Sequence, residues 1–163
     1  MKGQPSGKGR RIAIVVSRFN EVVTSQLLQG AHETLLSAGV AEDAIEVAWV
    51  PGAWEIPSTL RRFGCSGRFD ALIGLGAVIR GGTPHFEYVS RGVADGIAEV
   101  GTETELPVIF GVLTTDTLEQ ALERAGGRGA DDSSNKGTDA ALAALEMIDI
   151  FRQMDERDNS EGT

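Results

Sequence analysis

A chain of 163 residues, 41% of them hydrophobic, is the size of one domain and long enough to bury a core. Its formal net charge of −9 argues against a nucleic-acid backbone as the main partner, because phosphate binding over a surface needs clustered Lys and Arg. Cys65 is the only cysteine, which excludes a disulfide within the chain and a thiolate-rich zinc site, and no apolar run approaches the roughly 20 residues of a membrane span. Met1 to Gly9 is too polar for a secretory signal, so a cytoplasmic protein is expected.

In chain order, Met1 to Arg10 is Gly-rich and basic and is expected to be loose. Ile12 to Val16 has strand character. Val22 to Ala38 places Val23, Leu27, Leu28, Ala31, Leu35 and Leu36 on one stripe, and Gly39 follows where a helix ends in a left-handed residue. Ile45 to Val50 is a second strand and Trp54 to Phe63 a short helix. Ala71 to Ile79 is almost wholly apolar, as a parallel strand covered on both faces should be, and its glycines leave room for something to lie close. Gly81 and Gly82 then make a turn, Thr83 is a good N-cap, and Pro84 suits the first position of a helix running to Val100. Val108 to Leu113 is a fourth strand. A helix from Thr117 to Ala125 begins behind Asp116, with Glu119 three residues on. After a Gly, Asp and Ser linker from Gly126 to Ser134, the last helix starts near Asn135, and Asp155 to Thr163 is expected to be loose.

Strands alternating with helices at roughly 30-residue spacing mean right-handed βαβ crossovers. The expected fold is a three-layer α/β/α sandwich with a central four-stranded parallel sheet, spanning 1–163 as a single domain. Such sheets bind ligands beyond the carboxyl ends of their strands. The turns that qualify are Ser17 to Asn20, Pro51 to Glu55, Arg80 to His85 and Thr114 to Asp116.

Amides of Gly82, Thr83 and His85 would sit at the positive end of the third helix, ready for a phosphate or carboxylate. His85, beside that anion, can serve as a general acid or base, or be a surface histidine in a capping turn. The glycines give neither a Walker loop nor a dinucleotide fingerprint. Arg124 can bind phosphate through its planar fork or merely complement a helix dipole. Phe19 and Trp54 occupy turns that need no large apolar residue, so each either stacks on a flat ring or anchors its loop. Glu55 suits a helix start, Phe110 reads as core, and Asp116 and Glu119 read as capping. Two distant histidines, one cysteine and scattered carboxylates supply no metal-ligand spacing.

Taken together, Arg18-Phe19-Asn20, Trp49 to Pro57, Gly76 to Phe86, Phe110 to Thr114, Glu123 to Gly126 and Asn135-Lys136-Gly137 resemble lumazine synthase, from Ile12 to Phe151. The resemblance implies flavodoxin-like topology and an enzyme of riboflavin biosynthesis that uses no cofactor or metal. It condenses 5-amino-6-(D-ribitylamino)uracil with 3,4-dihydroxy-2-butanone 4-phosphate to 6,7-dimethyl-8-ribityllumazine, releasing phosphate and water. By the same resemblance, Phe19 would stack on the pyrimidine, and Ala53, Trp54, Glu55, Ala77, Val78 and Ile79 would line the ring and ribityl chain. Gly82 and Thr83 would hold the butanone phosphate with Arg124, and His85 would move protons. Phe110 would be presented to a neighbouring subunit, because family sites lie between subunits of a pentamer. Trp54 stands where phenylalanine is expected. The linker Gly127 to Ser134, about four residues longer than in shell-forming members, implies pentamers or pentamer pairs with no icosahedral shell. The related archaeal riboflavin synthase, a flavin or ribityl-compound carrier and a scaffold protein are the alternative readings.

Overall fold

The computed structural model describes residues 1–127 and 135–161 of the chain. Its elements run β1 (Ile12–Ser17), α1 (Glu21–Ser37), β2 (Ile45–Val50), α2 (Ile56–Gly64), β3 (Ala71–Ile79), α3 (His85–Thr104), β4 (Val108–Thr115), α4 (Leu118–Arg124) and α5 (Lys136–Glu161). Single 3-10 turns at Glu42–Ala44 and Ala53–Glu55 flank β2. The strands form one sheet in the order β2-β1-β3-β4, every pair parallel. The expected four-stranded parallel α/β fold is therefore the observed one.

Alternation along the central strands divides the core into two layers. Ile12, Ile14 and Val16 of β1, with Ala71, Ile73, Leu75 and Ala77 of β3, pack under α1, α4 and α5. Ala13, Val15 and Leu72 face the other way, toward Ile56 and Leu60 of α2 and Val93, Ile97 and Val100 of α3. Each Ile, Leu or Val among them contributes roughly 1.5–3 kcal/mol by leaving water. What lies close to the strand glycines is α2: a β-carbon on Gly74 would fall 2.9 Å from Cγ2 of Ile56. At the sheet edge, Phe110 on β4 is 45% exposed and so is not a core residue, contrary to its apolar setting in the sequence.

Helix ends follow local chemistry, with some shifts from expectation. Gly39, at φ 97°, closes α1 with its N–H on Leu36 O and the Val40 N–H on Leu35 O, both at 3.0 Å. The N-cap of α4 is Thr117, whose Oγ1 accepts from the Gln120 N–H at 3.2 Å, and not Asp116. Helix α3 starts at His85 with Pro84 as its N-cap, so Thr83 lies one position outside and caps nothing through its side chain.

The ends of the chain are better anchored than their composition suggests. Helix α5 continues through Asp155 to Glu161. Near the other end, the Gln4 N–H donates to Asp149 Oδ2 at 3.0 Å and the Gly7 N–H to Ala38 O at 2.9 Å. Gly3 is buried, and its backbone lies so close to α5 that a β-carbon there would meet Glu146 O at 2.2 Å. Hydrogen bonds from Arg152, from the Gln4 N–H and from Gln153 hold the Asp149 carboxyl below its ordinary range. Among the described residues no helix is long and apolar enough to cross a membrane. From residue 128 onward, the linker Gly127 to Ser134 lies outside the described residues.

Candidate active site

The loops after β1, β2 and β3 meet at the carboxyl ends of their strands, where the strand order reverses about β1. They enclose a cleft of about 660 Å³. Its floor is Ala53 and the end of β3 (Ala77, Val78, Ile79); its walls include Phe19, Trp54, Glu55, Phe86 and Tyr88. Gly81, Thr83 and His85 close one side. Gly82, between them in sequence, is exposed and is not among the lining residues.

Backbone zippering brings these loops together. The Arg18 N–H donates to Val50 O at 2.8 Å and the Phe19 N–H to Pro51 O at 3.1 Å, which joins the β1–α1 turn to the segment after β2. Asn20 fixes the same turn from the other side: it is the left-handed N-cap of α1, at φ 62°, and its Nδ2 donates to Ala77 O at 2.8 Å. Phe19 is thereby left 71% exposed at the mouth, with its ring free for a planar ligand. Trp54 is 60% exposed, and its indole rests on α3 beside Gly92, where a β-carbon would be 2.3 Å from Cζ3. Glu55 is half-buried, and its Oε2 accepts the Gly52 N–H at 2.9 Å. That bond shapes the 3-10 turn and aims a carboxylate into the cleft wall.

The β3–α3 turn differs from its sequence expectation in one respect. Neither Gly81 nor Gly82 has a positive φ, and beyond the adjoining residues no atom lies within 4 Å of where either side chain would begin. The glycines therefore keep the turn open to a ligand; backbone strain does not require them. His85 is exposed in the first turn of α3, on the cleft side. Beside it, Arg80 Nε donates to Asp116 Oδ1 at 2.8 Å, and Nη1 bonds Glu87 Oε1. The Arg80 hydrogen bond holds the Glu87 carboxyl below its ordinary range. Asp116 thus answers a guanidinium where the sequence suggested a helix cap.

Phe110 and Arg124 lie elsewhere. They line a second concavity of about 440 Å³ along β4, with Thr114, Lys136, Asp139 and Ala140, and it shares no lining residue with the first cleft. Arg124 Nη1 donates to Gln120 O at 3.1 Å within its own helix, and Lys136 Nζ bonds Asp139 Oδ2 at 2.7 Å. Within one chain, then, the candidate residues fall into two groups on different surfaces.

Sequence reading assigned no role to Asn20, Arg80 or Tyr88, and placed Phe86 only on the apolar stripe of the third helix. Asn20 carried a usable signal, since Asn tolerates the left-handed region and favours N-caps; Tyr88 carried none, because its place on the cleft depends on how α3 crosses the sheet. Among the described residues, no His, Cys, Asp and Glu side chains gather in a group of three or more that could hold a metal ion. The family described as 6,7-dimethyl-8-ribityllumazine synthase has a model that matches residues 9–152, which takes in both concavities and all four strands.

Proposed function

The chain belongs to the 6,7-dimethyl-8-ribityllumazine synthase family, a family of transferases in riboflavin biosynthesis, and from that premise we propose the reaction and the division of labour at its site. The reaction is the condensation of 5-amino-6-(D-ribitylamino)uracil with 3,4-dihydroxy-2-butanone 4-phosphate to 6,7-dimethyl-8-ribityllumazine, with release of phosphate and water. One observation carries it: Phe19 and Trp54 line the same cleft as Thr83 and His85. An aromatic wall for a pyrimidine thus adjoins a helix start suited to a phosphate.

Phe19 stacks on the pyrimidine, and Ala53, Trp54, Glu55, Ala77, Val78 and Ile79 line its ring and ribityl chain. Gly82 and Thr83 offer backbone N–H groups to the phosphate, favoured there by the dipole of α3. Holding both substrates side by side removes most of the entropic barrier to attack of the amine on the ketone. His85, in the first turn of the same helix, removes and returns the protons as the imine forms and phosphate departs.

Phe110 and Arg124 serve the cleft of a neighbouring copy, which is supported by their sharing a concavity remote in lining from their own chain's cleft. The active unit is on this reading a cytoplasmic homo-oligomer, a pentamer or pentamer pair without a shell. Light scattering is expected to return a particle of that size; one of shell size overturns the assembly.

Mixing the two substrates with the protein should produce lumazine, read by its absorbance. His85→Ala should lower kcat by roughly a hundredfold, the low end for general acid/base groups, because the residue is exposed. Turnover at the parent rate removes His85 from the mechanism. Riboflavin from lumazine alone would favour the synthase alternative, and binding without turnover a carrier.

A further inference from the structure

Arg80 precedes two glycines and a helix start, a place where a cation can face a phosphate. Its side chain is engaged in another way. Nε donates to Asp116 Oδ1 at 2.8 Å, Nη1 bonds Glu87 Oε1, and the guanidinium carbon stands 4.3 Å from the Phe86 ring centroid. Its own N–H donates to Thr115 O at 2.9 Å. One residue therefore ties the end of β3 to the first turn of α3 and to the end of β4.

We propose that Arg80 is a positioning residue whose guanidinium, shared between Glu87 and Asp116, holds the Gly81-to-His85 turn in the shape that receives a phosphate. The inference rests on that turn being the phosphate site of the reaction above. Beyond the adjoining residues, Gly81 and Gly82 pack against nothing within 4 Å of where their side chains would begin, so the turn takes its shape from its two ends. Arg80 stands at one end, and Glu87 and Phe86 just past the other. Two carboxylates already balance the guanidinium, which leaves it poorly placed to attract a third anion. The two carboxylates meet different nitrogens of one planar group, a geometry that a lysine ammonium cannot reproduce.

The sign of one substitution separates positioning from direct binding. Removing the Glu87 charge would free Arg80 if the arginine were a phosphate ligand, and would loosen the turn if it is a clamp. In the full-length protein, Glu87→Gln and Asp116→Asn are each expected to raise KM for the butanone phosphate by roughly threefold to tenfold. Arg80→Met should raise it further, Arg80→Lys should recover only part of the loss, and KM for the pyrimidine should stay within about twofold. Melting temperatures should stay near the parent's, since all three side chains are substantially exposed.

A lower KM in Glu87→Gln overturns the clamp in favour of direct binding. Unchanged constants overturn it outright, and so does an equal rise for both substrates with a lower melting temperature. If the parent protein makes no lumazine, it is the proposed reaction that fails. Backbone NMR relaxation then decides the clamp by itself: order parameters of the residue 82, 83 and 85 amides should fall to below about 0.6 in Arg80→Met, and unchanged values overturn it.

Discussion

Gly92, midway along α3, is where the helix backbone becomes a surface for an aromatic ring. A β-carbon at this position would fall 2.3 Å from Cζ3 and 2.9 Å from Cη2 of Trp54. Because that indole is 60% exposed, it can yield, and the substitution sets stability against binding. Gly92→Ala should gain up to about 1 kcal/mol of helix propensity, so melting should be unchanged or higher. The displaced indole should meanwhile raise KM for the pyrimidine by roughly tenfold, as about 1.4 kcal/mol of lost contact would. Steady-state kinetics beside a melting curve checks both. An unchanged KM would take the indole out of the pyrimidine site. The sequence left Trp54 as either a stacking platform or a loop anchor; in the structure its six-membered ring lies beside Gly92 of α3 while much of the side chain remains exposed. Phe110 could not be read in this way, because an apolar residue in an apolar run looks the same in a central strand as on the exposed edge of β4.

At the scale of elements, the start of α5 depends on one side chain. Asn135 Nδ2 donates to Gln26 O at 3.0 Å and to Ala125 O at 2.9 Å, while Oδ1 accepts the Gly137 N–H at 2.8 Å. The residue thereby caps α5 and joins it to α1 and to the end of α4. Asn135→Ala should cost about 2 kcal/mol, the sum of a lost cap and of carbonyls left poorly satisfied, measured as a lower midpoint in urea unfolding. A loss of less than about 0.5 kcal/mol would mean that water replaces all three bonds. Gly137 explains why the approach is so close: a β-carbon there would lie 1.9 Å from Leu27 O. The strand bounds came through well at this scale, with β2 and β3 as read and β1 and β4 longer by one and two residues. Caps came through less well, since Thr83 and Pro84, like Asp116 and Thr117, are neighbours that suit adjoining cap positions equally. The N-terminal segment was expected to be loose from its Gly-rich, basic composition, whereas Gly3 and Gly7 permit close contact with α5 and with Val40.

For the whole molecule, the separation of Phe110 and Arg124 from the cleft holding His85 makes assembly testable by complementation. His85→Ala and Arg124→Ala subunits, each nearly inactive alone, should recover about a quarter of parent activity when refolded together at equal amounts. That fraction of interfaces would pair an intact cleft with an intact neighbour. A mixture as inactive as its components would place the complete site within one chain. The order of elements, the parallel sheet and the family are legible in the residues alone, because apolar period, glycine stops and strand-end motifs are local properties of the chain. The tertiary structure decided which motifs meet. It joined Phe19, Trp54 and His85 through loops distant in sequence, set Phe110 and Arg124 apart on β4 and α4, and gave Arg80 two carboxylate partners, one 36 residues away. Contacts of that range depend on how helices cross the sheet, which no local pattern encodes.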